Sequence, residues 1–450
     1  MDNRNTDFAE NNGLIVGLDV GTTKIVTVIG YLNDMGEVDI VGFGQSESKG
    51  VEYGEIQNIV KTTEGIELSK QMAEQRSNQQ VNQVYVGVAG HHVKTSSYRH
   101  VLYRHEEDRQ KLPITQEEID KLKDDVAKVS QDPGIEIIDV IPQSYTINRT
   151  RQTFDPVGEL GHEVIGTYQL ITGNEREIEK IIQCAQGAGV TPKEIVLEPI
   201  ASGIACLSDE EKKQGCVLVD IGGGTTDMVI FIDGHPVFTK VIPIGGNIIT
   251  KDIAQVCKIP EATAEKIKID HGTCIVEKNS GKTITIPKSF GAPVQISEYS
   301  VAQIINCRVQ REIIDIVKAE IERSGYANRL NAGVVLTGGG SNLRHLRELF
   351  EFNTQLPTRI GIPDNKFARN IPSELRQPMY ATALGLLKYG IDVEMKEGLT
   401  GHEEQEMQRK ESKFKRKRKA ESNISNNESN ESSTFSSFRQ WVKNLLEKVS

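Results

Sequence analysis

Gly17-Leu18-Asp19-Val20-Gly21-Thr22-Thr23-Lys24 and Val219-Asp220-Ile221-Gly222-Gly223-Gly224-Thr225-Thr226-Asp227 carry the same glycine and hydroxyl chemistry in two distant parts of one chain. Each follows a run fit for a buried strand (Leu14 to Leu18; Cys216 to Val219) and precedes another (Ile25 to Ile29; Met228 to Ile232), so each reads as a β-hairpin with a glycine-rich tip. Glycine has no Cβ and tolerates positive φ, so such a tip lets backbone N–H groups approach a phosphate closely. The carboxylates Asp19 and Asp220 are badly placed to touch phosphate directly and well placed to hold a hydrated Mg2+ that does. Two such hairpins facing each other would clamp a nucleotide between them.

The 450 residues exceed what one hydrophobic core serves, which implies two or more domains. The net charge of -10 argues against nucleic acid as a partner. The N-terminal residues 1–12 are polar, with acids at Asp2, Asp7 and Glu10, and no apolar run of signal-peptide or transmembrane length occurs, so the expected compartment is the cytosol. Cys184, Cys206, Cys216, Cys257, Cys274 and Cys307 form no C-x-x-C pair, which argues against zinc and disulfides and for ordinary buried thiols.

Residues 13 to about 390 alternate strand-like and amphipathic helical runs, the pattern of an α/β protein. Two stretches interrupt it. Residues 87–167 contain the alternating run Val93 to Tyr103, a capping-box signature at Thr115-Gln116-Glu117-Glu118 and a strand-like run Ile135 to Ile141, and read as a small α+β insertion. Residues 247–300 hold helical runs (Ile248 to Val256; Ala262 to Ile269) followed by strand-like Thr283 to Ile286, a second insertion. The first-lobe core is expected over 13–86, 168–200 and about 368–390, and the second over 201–246 and 301–367. From Glu394 to Thr434 large apolar residues nearly vanish, and a basic cluster (Arg409 to Lys419) gives way to a Ser/Asn/Glu-rich stretch, so 391–434 has the composition of a disordered linker. Residues 435–450 regain helical periodicity: Phe438, Trp441, Val442, Leu445, Leu446 and Val449 fall within an arc of about 140°. Tethered by a flexible linker and accompanied by Lys and Arg, that face suits an anionic membrane surface.

A third glycine cluster, Gly338-Gly339-Gly340-Ser341, follows the strand-like Val334 to Thr337 and precedes the helical run Leu343 to Phe350, an arrangement able to set backbone beside an adenosine or an α-phosphate. With three such clusters in this order, the chain resembles the actin, hexokinase and DnaK superfamily, in which ATP lies in a cleft between two related lobes. The resemblance implies that Gly21, Thr22, Thr23 and Lys24 form the first phosphate hairpin and Gly222, Gly223, Gly224, Thr225 and Thr226 the second. It also implies Asp19 and Asp220 at the Mg2+ site, Gly338 to Ser341 at the nucleoside, and Glu198 or Asp227 as the group that orients water. On its own residues Glu198 reads equally well as a helix N-terminal acid.

Within that superfamily the chain is similar to the FtsA family of bacterial cell-division proteins. The similarity is carried by Gly245 to Ala254, Ala264 to Lys268, His271-Gly272 and Asp155-Pro156-Val157-Gly158 with Gly161; Glu159 stands where the family often has methionine. The resemblance implies an actin-like two-lobed ATPase fold with two small α+β insertions, a disordered linker and a C-terminal amphipathic helix that targets the membrane. It places Glu265 and Lys268 near ribose and base, and Arg308 near a pocket for the C-terminal tail of FtsZ. Arg308 also reads as an exposed arginine paired with Glu312 at i+4. The implied protein is an ATP-binding assembly factor and at most a slow ATPase. It polymerises on the cytoplasmic face of the membrane at the division septum, binds itself, FtsZ, anionic lipids and other division proteins, and does not bind nucleic acid. The rivals are a small-molecule kinase of the superfamily, which needs a dedicated aspartate base, and a PilM-like pilus-assembly ATP-binding protein. The long linker and terminal helix speak against both.

Overall fold

The computed structural model describes residues 13–33, 35–104, 112–276, 281–286, 293–363, 367 and 371–395. The linker beyond residue 395 and the amphipathic segment 435–450 lie outside the described residues. The chain divides into a body ending at Ile391, which carries both glycine-rich tips, and a separate unit from Asp392 onward.

Two five-stranded sheets form the two lobes of the body, and they share one topology. The first runs Thr191–Leu197, Gln83–Val88, Ile15–Val20, Lys24–Leu32, Val38–Glu47. The second, read from its opposite edge, runs Thr358–Ile360, Gly333–Thr337, Cys216–Ile221, Thr226–Ile232, His235–Ile242. Each is an antiparallel three-strand meander extended by two parallel strands. The duplication visible in the two tips therefore extends to the whole lobe core. Strands buried on both faces explain why their sequences run continuously apolar rather than alternating.

Between the sheets lie two helices, Glu198–Cys206 and the helical residues 381–391. One core joins Val26, Val28 and Val196 of the first sheet, Leu218, Val229 and Val335 of the second, and Ala201, Ala205, Leu384 and Leu387 of the helices. Small residues bring the two helices together: a Cβ on Gly385 would lie 1.8 Å from the Ala201 carbonyl oxygen.

The first insertion has a core of its own. Its sheet, ordered Lys94–Tyr103, Glu163–Asn174, Ile135–Ile147, Arg151–Thr153, packs Val140, Tyr145, Val164 and Tyr168 against Ile119, Leu122 and Val126 of the helix Gln116–Ala127. The capping box is formed as the sequence predicts: Glu118 N–H donates to Thr115 Oγ1 and Thr115 N–H to Glu118 Oε2. The boundaries expected at 87 and 167 cut through strands, because Gln83–Val88 belongs to the first-lobe sheet and the long strand Glu163–Asn174 continues past the insertion. The second insertion shares its core with the second lobe: Ile249, Ile253, Ala264, Ile267 and Cys274 pack with Val217, Ile230 and Leu336. After it, helix Glu298–Arg308 passes through a π-helical stretch, Val309–Ile314, into helix Asp315–Ser324. Two expectations need correction. Of the six cysteines expected to be buried, Cys307 is exposed, because it sits on the outward face of helix Glu298–Arg308, and Cys257, the last residue of helix Gly246–Cys257, is only half-buried. The helix after the third glycine cluster starts at Leu346 rather than Leu343, because His345 adopts a left-handed conformation at φ 63° and the intervening Gly339–Asn342 forms a 3-10 turn.

Candidate nucleotide-binding site

The aspartates sit on the strands just before the tips. Asp19 pairs with Val26, and Asp220 pairs with Asp227. The tips beyond them are identical four-residue turns: Gly21 N–H donates to Lys24 O at 3.0 Å, and Gly222 N–H to Thr225 O at 2.9 Å. They meet across the cleft. A Cβ on Gly223 would fall 2.0 Å from Thr23 Oγ1, and one on Gly224 would fall 2.5 Å from Thr22 Oγ1. The glycines of one tip thus make room for the hydroxyls of the other.

A further hairpin reaches the same place. Tyr53 and Gly54, both at positive φ (51° and 76°), make a tight turn of the type favoured in two-residue hairpins. Gly54 N–H donates to Thr22 Oγ1 at 3.1 Å. The sequence motifs did not point to this turn, although the dipeptide Tyr53-Gly54 between Val51 and Ile56 carried the signal.

Behind the tips lies a cluster of acids. Asp19, Asp220 and Asp227 are buried, and Glu198, the first residue of its helix, is partly buried beside Gly87. Lys24 is the cation set among them, with Nζ 3.4 Å from Asp19 Oδ2 and 5.4 Å from the centre of the Tyr380 ring. Burial pushes Glu198 well above the usual carboxylate range, and the charges of Asp19, Asp227 and Asp220 push it further. Burial pushes Asp227 up to about 8, reinforced by Asp220 directly opposite it on the ladder and opposed by the Thr225 hydroxyl 2.9 Å away. Asp227 Oδ1 has no hydrogen-bond partner among the described residues. Asp220 rises to about 6, again chiefly through burial, and its Oδ2 accepts from Ser202 Oγ at 2.6 Å and Thr382 Oγ1 at 3.3 Å. Ser202 and Thr382 come from the two inter-lobe helices and went unmarked in the sequence because neither lies in a motif.

The donor set decides how a divalent ion could be held. Among the described residues no group of three His, Cys, Asp or Glu converges as direct metal ligands. Carboxyl oxygens gathered around a cleft, with Asp227 Oδ1 unpartnered, suit a hydrated ion held through water by Asp19 and Asp220.

The third cluster joins the same site. Gly338, at φ 81°, packs against Asp220 so closely that a Cβ would lie 2.2 Å from Oδ1, and Ser341 Oγ donates to Gly338 O at 2.7 Å. Gly339 and Gly340 form the 3-10 turn that comes next. Glu265 and Lys268 approach from the helix Glu261–His271. Lys268 is buried and fully engaged with Gly246 O (3.0 Å), Thr250 Oγ1 (2.8 Å) and Glu265 Oε2 (2.8 Å). Its role is to brace the turn whose Gly246 and Asn247 N–H groups bond Gly222 O and Gly223 O, which leaves Glu265 as the more accessible of the two.

Arg308 lies apart from the cleft, in a groove of about 480 Å³ with Val256, Ile304, Cys307 and Arg311. It forms a bidentate pair with Asp252 (2.5 and 2.8 Å) and a second pair with Glu312. The Asp252 bond holds its guanidinium above the usual arginine range. The membrane residues Phe438 to Val449 lie outside the described residues, and among those described no helix is long and apolar enough to cross a membrane.

Comparison with known proteins bears on most of the chain. The family described as Cell division protein FtsA matches residues 217–385, and the SHS2 domain inserted in FTSA matches residues 90–172. Cell division protein FtsA of Borreliella burgdorferi is 35% identical over 92% of this chain and 98% of its own length. Among solved structures, the PilM-PilN type IV pilus biogenesis complex matches with a TM-score of 0.58 at 16% identity over 84% of this chain and 98% of that one. MreB 5 of Spiroplasma citri bound to AMPPNP matches with 0.52 at 15% over 86% and 98%. These two likenesses are of fold alone. With an actin-like fold of two lobes that share one sheet topology, an inserted domain matched as the SHS2 type and, over 92% of its length, 35% identity to a curated relative, this chain belongs to the FtsA family of cell-division proteins.

Proposed function

We propose that the chain binds Mg-ATP between its lobes, assembles into filaments at the cytoplasmic face of the membrane and tethers FtsZ filaments there at the division septum. The observation that carries the reading is the meeting of three glycine turns over four buried or half-buried carboxylates in the cleft of an FtsA-family chain. Bound Mg2+ would supply positive charge that offsets the carboxylates and the triphosphate together. Asp19 and Asp220 would hold the ion through water, the tips would donate backbone N–H groups to phosphate, and Gly338 to Ser341 and Glu265 would serve the nucleoside. MreB 5, described bound to AMPPNP, has the same fold.

The chain acts as an assembly protein and at most as a slow ATPase. Glu198 and Asp227 are both held toward the neutral form by burial and neighbouring carboxylates, a poor state for a general base near neutral pH. ATP favours a polymer-competent shape by differential binding, and head-to-tail contacts give an open filament. Many copies of segment 435–450 on one filament then hold the membrane by avidity. The groove around Arg308 suits the FtsZ tail as an acidic peptide, with Arg311 exposed beside it.

Sedimentation with anionic liposomes tests this, using the full chain and a version ending at Thr434, each with and without Mg-ATP. The full chain is expected to pellet with lipid, more so with Mg-ATP, and the shortened one to stay in solution. Equal pelleting of both versions would sink the tether, and a missing ATP dependence would sink the link from nucleotide to assembly.

A further inference from the structure

A cavity of about 600 Å³ lies in the seam between the first insertion and the second lobe, within the ~300–1,000 Å³ of small-molecule sites. The seam forms along the free edge of the second-lobe sheet, strand His235–Ile242. The insertion covers that edge with side chains and not with a paired strand. Thr95 Oγ1 donates to Thr239 O at 3.2 Å, Gln143 Nε2 to Val237 O at 2.5 Å, and the Phe154 ring stacks on His235 at 5.3 Å. Val93 of the insertion, Leu197 of the first lobe, and Val241 and Ile316 of the second give the cavity apolar walls.

Two polar features interrupt those walls. Thr239 is 1% exposed, and its hydroxyl has no hydrogen-bond partner among the described residues. A buried hydroxyl left so is costly unless something else satisfies it. Lys94 and Lys240 also line the cavity, are exposed, and find no counter-ion among the described residues. His91, a further lining residue, is already engaged with Glu55 at 2.8 Å.

We propose that this cavity binds a small amphipathic monoanion, a carboxylate or sulfonate on a compact apolar body. The body packs against Val93, Leu197 and Ile316, an anionic oxygen accepts from the Thr239 hydroxyl, and Lys94 and Lys240 supply the opposite charge. A molecule bound there touches the insertion and the second lobe at once, so it stabilises their docked arrangement by its preference for that state.

Isothermal titration of the full-length protein with anilinonaphthalene sulfonate, in the absence and presence of saturating Mg-ATP, tests the site. One saturable site that survives Mg-ATP is expected. Thr239→Val should weaken it about five-fold or more, the worth of one hydrogen bond. Lys94→Ala with Lys240→Ala should weaken it and flatten its salt dependence, and Ile316→Trp should abolish it by filling the space. None of these variants touches the nucleotide cleft or segment 435–450, so ATP affinity and any probe on that segment act as internal references. Unchanged affinity in all variants, or displacement by Mg-ATP, overturns the site. Loss only in Ile316→Trp overturns the anion.

Discussion

Ser202→Ala removes a buried hydroxyl that nothing in the sequence marks and on which Asp220 depends. Ser202 is fully buried in the helix Glu198–Cys206, and its Oγ donates to Asp220 Oδ2 at 2.6 Å. A hydrogen bond to a charged group contributes ~1.5–3 kcal/mol, while alanine returns roughly 0.5 kcal/mol of helix propensity. Thr382, 3.0 Å from Ser202 and 3.3 Å from the same carboxylate oxygen, retains part of the interaction. The expected net loss is ~1–2 kcal/mol where Asp220 is ionised. Burial raises Asp220 to about 6, and the Ser202 bond holds it lower than burial alone would. Because the folded pKa lies above the unfolded one, the proton is held more tightly in the native state. That stabilisation is complete below about pH 4 and is lost as pH rises through the folded value. Without Ser202 the carboxyl titrates higher still, so the deficit of the variant grows with pH. Urea unfolding at about pH 5 and about pH 8 measures it, with several probes because the body has more than one core. Similar stabilities at the acid end and a clear deficit at the alkaline end are expected. A deficit of equal size at both would show that the hydroxyl serves packing and not the charge of Asp220.

Gly338→Ala forces a Cβ to 2.2 Å from Asp220 Oδ1 at a φ of 81°, and should cost at least ~2 kcal/mol and most ATP binding; nucleotide titration with a thermal melt reads both. Asp252→Asn loosens the bidentate hold on Arg308 and should raise affinity for an acidic FtsZ-tail peptide several-fold by fluorescence anisotropy, whereas Arg308→Ala should lower it. Asp227, raised to about 8, also holds its proton more tightly when folded, so the nucleotide-free body should lose stability as pH rises from about 4 to about 8. Excess Mg-ATP should flatten that slope; a slope unchanged by Mg-ATP would count against an ion beside Asp220 and Asp227.

The parts of this molecule that were legible are those written in local sequence. Gly21 to Lys24 and Gly222 to Thr225 are four-residue turns with one hydrogen-bond pattern, and their repetition exposed the duplicated lobes. Thr115 and Glu118 announced their helix because a capping box spans only one turn. Contacts assembled from distant segments left no such trace. Ser202 and Thr382 converge on Asp220 from helices far apart in the chain, and nothing near either residue shows it. The Asp220–Asp227 pairing depends on register, which a four-residue tip fixes only once its turn geometry is known. The resemblance sets Lys268 beside Glu265 near ribose and base, yet its ammonium is spent on Gly246 O and Thr250. The outward aspect of Cys307 depends on how its helix rolls against Val301 and Ile305, which composition does not state.

The coupling between charge and shape arises from where Asp220 obtains its hydrogen bonds. Its two hydroxyl partners are carried by the helices Glu198–Cys206 and 381–391, the same pair whose Ala201, Ala205, Leu384 and Leu387 fill the core between the sheets. Those helices touch at Gly385 and Ala201, where no added methyl group fits. A shift of one lobe against the other therefore moves Ser202 or Thr382 relative to Asp220, and a change in the charge of Asp220 alters the strength of both bonds. Close-packed interiors do not absorb such shifts continuously. An ion or proton arriving beside Asp220 thus acts on the inter-lobe packing directly, through two hydrogen bonds, without a long chain of intermediate residues.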